Sequence, residues 1–170
     1  AAARHCTVAR PRINPATTRI DAKIGGHYVN SYLAKLGANK LSYDDAILCD
    51  NDGYIAEGTT QNVFLVKKGV VSTPQPHAIL PGITRDTVIE ILKDTNLEIR
   101  EAAITIEMLR EADEIFMTGT AAEIQAVTNL DGNLISGGNP GSITSHLQNW
   151  YDSIVRGNDD KYLKWLTLVQ

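Results

Sequence analysis

Cysteine and long apolar runs are scarce in this 170-residue sequence. Its two cysteines, Cys6 and Cys49, lack the spacing of a metal site or a Cys-x-x-Cys pair, so we expect both to be reduced and structural. The apolar runs have the length of β-strands, and the opening stretch AAARHCTVAR lacks the apolar core of a signal peptide. The sequence therefore predicts a cytoplasmic protein without disulfide bonds or a membrane span.

An excess of positive charge is also missing. Sixteen basic and twenty acidic side chains give a formal net charge of −4. No basic run is dense enough to follow a nucleic-acid backbone or an anionic membrane surface, so neither is an expected partner. With 43% apolar and 21% charged residues, the composition is that of an ordinary globular domain. No internal repeat or linker divides the chain, and no metal site is predicted.

The residue pattern predicts one α+β unit with mostly antiparallel strands. The strand-like CTVAR precedes a loop, PRINPATT, and residues 46–74 have the pattern of a meander of short strands joined by turns. Apolar spacing predicts a helix from the Gly25-Gly26 pair to about Gly37, and a second helix with Thr84 as its N-cap. A further amphipathic helix ends at Gly157, because glycine is favourable just beyond a helix.

Lys23 precedes the glycine pair and the predicted start of the first helix. An arbitrary lysine is expected on the solvated surface. Here the partial positive charge of the helix N-terminus disfavours a cation, and a neutral lysine amine is the form that makes Schiff bases. The two glycines leave the adjoining backbone uncovered, so a planar cofactor has room to approach. Spacing alone leaves both interpretations open.

Tyr28 and Glu57 also admit two interpretations each. Tyr28 follows Lys23 closely enough to place its hydroxyl on the same side of the first helical turns, or it is a half-buried core aromatic. Glu57 lies in a strand-like run followed by glycine and two threonines. An acidic residue in such a place usually faces solvent.

Two glycine-containing turns present free backbone N–H groups beside a threonine hydroxyl. They are Pro81-Gly82-Ile83-Thr84, which leads into a helix, and Thr118-Gly119-Thr120-Ala121. Turns at helix starts bind phosphate or carboxylate groups readily. Each turn alone is an ordinary one, and the two together indicate anion binding more strongly than either does alone.

Several motifs occur in an order that resembles the cofactor-binding domain of the fold-type IV pyridoxal-phosphate enzymes, most closely the branched-chain amino acid aminotransferases. They are KIGGHY (23–28), EGTTQNVFLVKKG (57–69), LPGITRD (80–86), DEIFMTGTAAEI (113–124) and the closing DKYLKWL. The resemblance covers nearly the whole chain, and it implies that residues 1–170 form one pyridoxal-phosphate-binding domain. It implies a D-amino-acid aminotransferase-like fold, in which this chain is the large C-terminal domain with mostly antiparallel sheets and flanking helices.

The resemblance assigns the central chemistry to three side chains. Lys23 matches the lysine that holds pyridoxal 5'-phosphate through a Schiff base and then, as a free amine, moves the substrate proton. Tyr28 matches the tyrosine that contacts the phenolic oxygen of the cofactor and borders the substrate. Glu57 matches the carboxylate that faces the pyridine nitrogen and keeps it protonated, so that the ring withdraws electrons.

The resemblance assigns anion binding to the two turns. Ile83 and Thr84 match the backbone and side-chain donors to the cofactor phosphate, with Thr120 as a further contact. Thr120 and Ala121 match the backbone amides that receive the α-carboxylate of the substrate. For Arg85, beside the first turn, we expect a structural role.

The implied reaction is transamination of leucine, isoleucine or valine with 2-oxoglutarate, giving 2-oxo acids and glutamate, in a homodimer or higher homo-oligomer. Members of the family also carry a smaller N-terminal domain that supplies an arginine for the phosphate and much of the substrate pocket. That domain has no counterpart in this sequence. We therefore expect this chain to be a fragment with weak or absent turnover on its own.

Two alternatives stay open. D-amino-acid aminotransferases and aminodeoxychorismate lyases share the lysine and the glutamate, although they do not usually carry KxGGxY or the DKYLKWL ending. The chain could instead be a catalytically silent cofactor-binding fragment.

Overall fold

A mixed β-sheet with helices on its surface forms the centre of the protein, and the computed structural model describes residues 3–167. The strands are β1 Arg4–Ile13, β2 Asp45–Asp50, β3 Ile55–Gly58, β4 Asn62–Lys67, β5 Val70–Pro74, β6 Ile99–Ala102, β7 Glu114–Gly119, β8 Glu123–Leu130 and β9 Asn133–Leu134. The helices are α1 Tyr28–Lys40, α2 Ile83–Lys93, α3 Ile106–Arg110 and α4 Ser142–Val155. Short 3-10 turns lie at Gly25–His27, Ser136–Gly138 and Asp160–Trp165.

The sheet closes on itself. Its strand order is β3-β2-β1-β8-β7-β4-β5-β6, and β3 pairs with β4 as well as with β2. Strands β3, β2, β1, β8, β7 and β4 therefore form a closed ring, from which β5 and β6 extend. Closure protects the hydrogen-bonding edges of the six ring strands. The meander predicted for residues 46–74 is confirmed as β2 to β5, which pair antiparallel in succession.

Parallel pairing occurs in three places within the described chain, between β1 and β2, β1 and β8, and β5 and β6. Two of these pairs are joined through a helix, since α1 connects β1 to β2 and α2 connects β5 to β6. The predicted mostly antiparallel character is confirmed, but these two crossovers were not predicted. One continuous sheet also replaces the several sheets that we expected. Strand β1 includes part of the segment that the sequence assigned to a loop, since it continues to Ile13.

Two large apolar clusters lie on the two faces of the ring. Each of the six ring strands contributes to the first cluster, for example through Cys6, Ile47, Ile55, Val63, Met117 and Val127. On the other face Phe64 and Phe116 stack with ring centroids 4.8 Å apart, beneath side chains of α2 and α4. Full burial of such a phenylalanine stabilises the fold by about 2–3 kcal/mol. Both cysteines are buried and form no disulfide, as expected, and burial raises the pKa of the Cys6 thiol.

Helix α1 confirms the predicted helix but extends beyond Gly37 to Lys40. Its buried face consists of small side chains, Ala34 and Ala38, which pack against β2. The larger apolar residues whose spacing indicated the helix lie on its exposed face instead, namely Tyr32, Leu33 and Leu36, together with Val29. The pattern therefore identified the helix correctly but not the side that packs on the sheet.

Helix α2 begins earlier than its predicted cap. Gly82 is the N-cap residue and Thr84 lies inside the helix, so the prediction of Thr84 as N-cap is wrong. Helix α4 is followed by Gly157 with a positive φ of 75°, as predicted. The final 3-10 turn is held to α4 by a hydrogen bond from Trp150 Nε1 to Asp159 at 2.9 Å. None of the helices in the described range is long and apolar enough to span a bilayer.

Candidate active site

A cleft of about 300 Å³ lies where the β3–β4 turn, the loop before α2 and the end of β7 meet the 3-10 turn before α1. It is lined by Asp21, Lys23, Tyr28, Glu57, Thr60, Gln61, Asn62, Leu80, Pro81, Gly82, Ile83, Thr84, Thr118, Gly119 and Thr120. The cleft thus collects residues from segments that are far apart in the sequence.

The cleft brings together nearly all of the residues singled out in the sequence. Six of them line it, namely Lys23, Tyr28, Glu57, Ile83, Thr84 and Thr120. Ala121 is not among the lining residues. It lies next to Thr120 in the turn that joins β7 to β8, with an exposed side chain. The two glycine-containing turns therefore reach the same cleft, which neither turn could indicate by itself.

Lys23 stands in an exposed segment just before the 3-10 turn. Its Nζ lies 5.6 Å from the centroid of the Tyr28 ring, so the two side chains are neighbours across the start of α1. A Cβ added at Gly25 or Gly26 would meet no atom within 4 Å. The backbone beside Lys23 is therefore open to a planar ligand, as the glycine pair predicted.

Glu57 is held from one side by a hydrogen-bonded turn. Its Oε2 accepts a hydrogen bond from the backbone N–H of Leu80 at 3.0 Å and a longer one from Asn62 Nδ2 at 3.4 Å. The same Asn62 amide donates to the Leu80 carbonyl at 2.8 Å. Glu57 does not project into solvent, which was the usual expectation for such a residue, but lies partly buried on the wall of the cleft.

The environment of Glu57 changes its acidity. Burial raises the pKa of the Glu57 carboxyl to about 7, because desolvation disfavours the ionised form. The hydrogen bond from Leu80 and the positive charge of Lys23 act in the opposite direction. A cationic group bound beside the carboxylate would favour the ionised form further.

The first turn of α2 presents backbone donors to the cleft. The first hydrogen bond of the helix runs from Asp86 N to the Gly82 carbonyl, so the N–H groups before Asp86 have no acceptor within the helix. Ile83 and Thr84 belong to this turn and line the cleft. The helix dipole adds partial positive charge at the same place, which suits a phosphate.

Arg85 does not take part in the cleft. Its buried guanidinium donates to the Pro74 carbonyl at 2.9 Å and pairs with Glu101 at 2.5 Å. These contacts join α2 to β5 and β6, in accordance with the expected structural role.

Three further buried polar residues of the cleft lie inside the quoted motifs but were given no role of their own from the sequence. Gln61, Asn62 and Thr118 are buried polar residues. Gln61 Oε1 and Thr118 Oγ1 have no hydrogen-bond partner within the described part of the chain. Spacing gave no signal for them, because strand residues alternate between faces and the sequence does not reveal where a turn redirects a side chain.

The side chains of the cleft fit pyridoxal 5'-phosphate. A lysine, a carboxyl group and a helix N-terminus with unpaired donors match its aldehyde, its ring nitrogen and its phosphate. Gln61 Oε1 and Thr118 Oγ1 are buried beside the cleft without a hydrogen-bond partner among the described residues, so they are free to bond with a ligand bound there. No cluster of residues that could hold a metal ion occurs in the range that the structure describes.

Comparisons with known proteins agree on one family. A family model described as amino-transferase class IV matches residues 1–130. The probable branched-chain-amino-acid aminotransferase of Aquifex aeolicus (strain VF5) is 47% identical over 149 residues, which are 86% of this chain and 48% of that protein. The branched-chain-amino-acid aminotransferase of Escherichia coli (strain K12) is 40% identical over 159 residues, or 93% of this chain and 52% of that protein.

A solved structure extends the agreement to the fold. The branched-chain amino acid aminotransferase of Thermobaculum terrenum in its PLP-form superposes with a TM-score of 0.95 at 37% identity, covering 98% of this chain and 55% of that one. The aminotransferase-like fold implied by the motifs is thereby confirmed. This chain spans about half the length of the Aquifex and Escherichia proteins. The chain belongs to the class IV aminotransferase family.

Proposed function

We propose that residues 1–170 form the cofactor-binding domain of a pyridoxal-phosphate-dependent aminotransferase that acts on branched-chain L-amino acids. The observation that carries the proposal is the single cleft lined by Lys23, Tyr28, Glu57 and the first turn of α2. A scaffold without chemistry has no need for a lysine, an acid with a raised pKa and free helix donors in one place. The likeness to named branched-chain aminotransferases supports the substrate class.

Lys23 is the covalent anchor and the proton carrier in this proposal. Pyridoxal 5'-phosphate, when bound, supplies a ring that withdraws the negative charge left at the α-carbon of the amino acid. Lys23 Nζ takes the proton from that α-carbon, because an amine freed from the cofactor is a general base held within the same cleft. The open backbone at the Gly25-Gly26 pair leaves the space that this movement requires.

The other side chains set orientation and charge. Glu57 faces the ring nitrogen, and its carboxylate holds a proton there. The Tyr28 hydroxyl binds the phenolic oxygen, while the first turn of α2, through Ile83 and Thr84, and Thr120 bind the phosphate. The backbone amides of Thr120 and Ala121 receive the α-carboxylate of the substrate.

The amino-group acceptor is 2-oxoglutarate in this proposal. A similar branched-chain amino acid aminotransferase was solved in complex with N-(5'-phosphopyridoxyl)-L-glutamate, a derivative of the amino acid that 2-oxoglutarate becomes on amination. Assays with leucine, D-alanine and aminodeoxychorismate separate the proposed activity from those of the two related enzyme types. Formation of glutamate from leucine and 2-oxoglutarate supports the proposal, and turnover of D-alanine alone contradicts it.

Self-assembly and location are inferred alongside the activity. We infer a homodimer or higher homo-oligomer in the cytoplasm. The exposed apolar face of α1 supports the assembly, since Val29, Tyr32 and Leu33 are each more than half exposed beside the cleft residue Tyr28.

Weak turnover of leucine by the 170-residue chain alone stays a prediction, and a comparison of its rate with that of a full-length relative tests it.

A further inference from the structure

We propose that Asn62 is a positioning residue, whose side-chain amide joins the Glu57 carboxylate to the Leu80–Gly82 turn and so fixes the distance between the two ends of the cofactor site. The inference rests on the proposed function, because the roles of Glu57 and α2 come from it. Asn62 itself has no direct part in the proposed chemistry. It acts through the two groups that it holds.

The placement of Asn62 makes it a link between two separate segments. Asn62 is the first residue of β4, and it pairs with Glu57 across the β3–β4 ladder. Its Nδ2 donates to the Leu80 carbonyl at 2.8 Å and lies 3.4 Å from Glu57 Oε2. Leu80 returns a hydrogen bond from its own N–H to the same carboxylate oxygen at 3.0 Å. The three residues thus close a small ring of hydrogen bonds.

The chemistry of the partners fixes the orientation of the amide. The Leu80 carbonyl only accepts hydrogen bonds, and an ionised Glu57 also only accepts, so the NH₂ group of Asn62 must face them. The Oδ1 atom then points towards Gly82, where an added Cβ would overlap it. Gly82 is the N-cap of α2, so the absence of a side chain there allows Asn62 to lie against the start of the helix. Asn62 is 5% exposed and is confined to this position.

The link has a direct consequence for ligand binding. In the proposed function Glu57 would face the ring nitrogen and the first turn of α2 would face the phosphate, so the two groups would bind two different parts of the same molecule. A fixed separation between them means that binding one end leaves the other end already in place. Donation from Nδ2 also favours the ionised form of Glu57, against the effect of burial.

Two substitutions separate positioning from a general structural role. Asn62→Asp keeps the shape but turns a donor into an oxygen that faces the Leu80 carbonyl and Glu57 Oε2. We expect the pKa of Glu57 to rise by about one unit or more, because a like charge lies within hydrogen-bond distance. Asn62→Ala removes the link without adding charge. A matched control is Asn129→Ala, since Asn129 caps the β8–β9 turn through Gly132 N at 3.0 Å and lies outside the cleft.

The first experiment is a carboxyl carbon-13 NMR titration of Glu57 in the cofactor-free chain. A higher pKa of Glu57 in Asn62→Asp, with no change in Asn129→Ala, is the expected result. An unchanged pKa of Glu57 overturns the proposal. If Asn62→Asp does not fold, Asn62→Ser replaces it, and a change in the Glu57 pKa is required of that variant.

The second experiment measures the dissociation constant of pyridoxal 5'-phosphate in a double-mutant cycle of Asn62→Ala and Glu57→Gln. We expect Asn62→Ala to weaken binding about tenfold in the presence of Glu57 and less than about threefold in Glu57→Gln, because contacting residues are coupled. Equal losses in both backgrounds contradict a role through Glu57. Failure of the unsubstituted protein to attach the cofactor to Lys23 would instead refute the proposed function, and the cofactor-free titration would still report on Asn62.

Discussion

Glu57 accepts a hydrogen bond from the backbone N–H of Leu80 at 3.0 Å, although the two residues are 23 positions apart in the sequence. The contact joins β3 to the turn that leads into α2. It therefore places the acidic group of the cleft beside the helix N-terminus, and the geometry of both depends on one turn.

The raised pKa of Glu57 predicts a pH dependence of stability in the cofactor-free chain. The carboxyl has a reference pKa of 4.5 and a pKa of about 7 in the folded protein. Between these values the folded state binds more protons than the unfolded state, so stability is fully present below pH 4.5 and falls as the pH rises through about 7. We expect the loss to be on the order of 2 kcal/mol, since Glu57 is partly exposed.

Urea unfolding at intervals between about pH 5 and pH 8 measures this dependence, and Glu57→Gln should reduce its slope. The matched control is Glu98→Gln, because Glu98 is an exposed surface residue whose pKa is lowered by Arg100. An identical slope in Glu57→Gln and in the unsubstituted chain would be inconsistent with the burial assigned to Glu57.

Gly82→Ala should damage the cleft as well as the fold. A Cβ at this position overlaps Asn62 Oδ1, so Asn62 must move away from the start of α2. We expect a loss of about 1–3 kcal/mol in the free energy of unfolding and weaker binding of pyridoxal 5'-phosphate.

Gly37→Ala is the control for this prediction and has the opposite expected sign. Gly37 lies inside α1, and an added Cβ meets no atom within 4 Å. Alanine in an exposed helix interior is more favourable than glycine by up to about 1 kcal/mol. Thermal unfolding of both variants provides the comparison, and a Gly82→Ala variant as stable as the unsubstituted chain would count against the close approach of Asn62.

Glu114→Ala should loosen α4 without affecting the cleft directly. The buried Glu114 carboxylate accepts hydrogen bonds from Ile143 N at 3.1 Å and Thr144 N at 2.8 Å, and so caps the helix. Gly141 leaves room for it, because a Cβ there would overlap the carboxyl group. We expect the free energy of unfolding to fall by about 2 kcal/mol or more. The helix would lose its cap, and the buried N–H groups that donate to Glu114 would lose their acceptor.

Hydrogen exchange of the α4 amides distinguishes this effect from general destabilisation. Exchange should accelerate first in the N-terminal turn of α4 in Glu114→Ala. Thr105→Ala offers a comparison, because the Thr105 hydroxyl caps the short helix α3 by accepting a hydrogen bond from Met108 N at 3.2 Å. This substitution should lower the free energy of unfolding by less than Glu114→Ala does. A larger loss of stability in Thr105→Ala than in Glu114→Ala would contradict the capping role of Glu114.

The exposed apolar face of α1 predicts an effect on self-assembly. Leu33→Glu places a charge in the middle of this face, so it should shift the protein towards the monomer in light-scattering measurements. Leu134→Glu is the control, since Leu134 is also an exposed leucine, 67% exposed, but belongs to β9 and not to α1. If Leu33→Glu leaves the mass of the assembly unchanged, α1 is not the interface.

The sequence indicated which residues share the cleft better than it indicated the packing around them. Lys23, Tyr28 and Glu57 could be identified because their chemistry stands in a recognisable order of motifs. The closure of the ring could not, because it depends on β3 pairing with both β2 and β4, and local patterns do not specify long-range partners. The packing face of α1 could not be predicted either. Its side chains there are the small Ala34 and Ala38, whereas the larger apolar residues of the helix stay exposed.

The residues that orient the site were the hardest to predict. Asn62 and Gln61 follow Glu57 in the motif EGTTQN, yet nothing in the spacing shows that one holds the Leu80–Gly82 turn and the other retains an unpartnered oxygen. Such contacts arise only when the turn and the strand meet in three dimensions.

The role proposed for Lys23 is decided by the place at which pyridoxal 5'-phosphate attaches to the chain. The protein is incubated with the cofactor, reduced with borohydride, weighed intact by mass spectrometry and mapped by peptide. We predict one phosphopyridoxyl group per chain, located on Lys23, and no addition in Lys23→Ala. A stable label on another lysine, or equal labelling of Lys23→Ala, would contradict it.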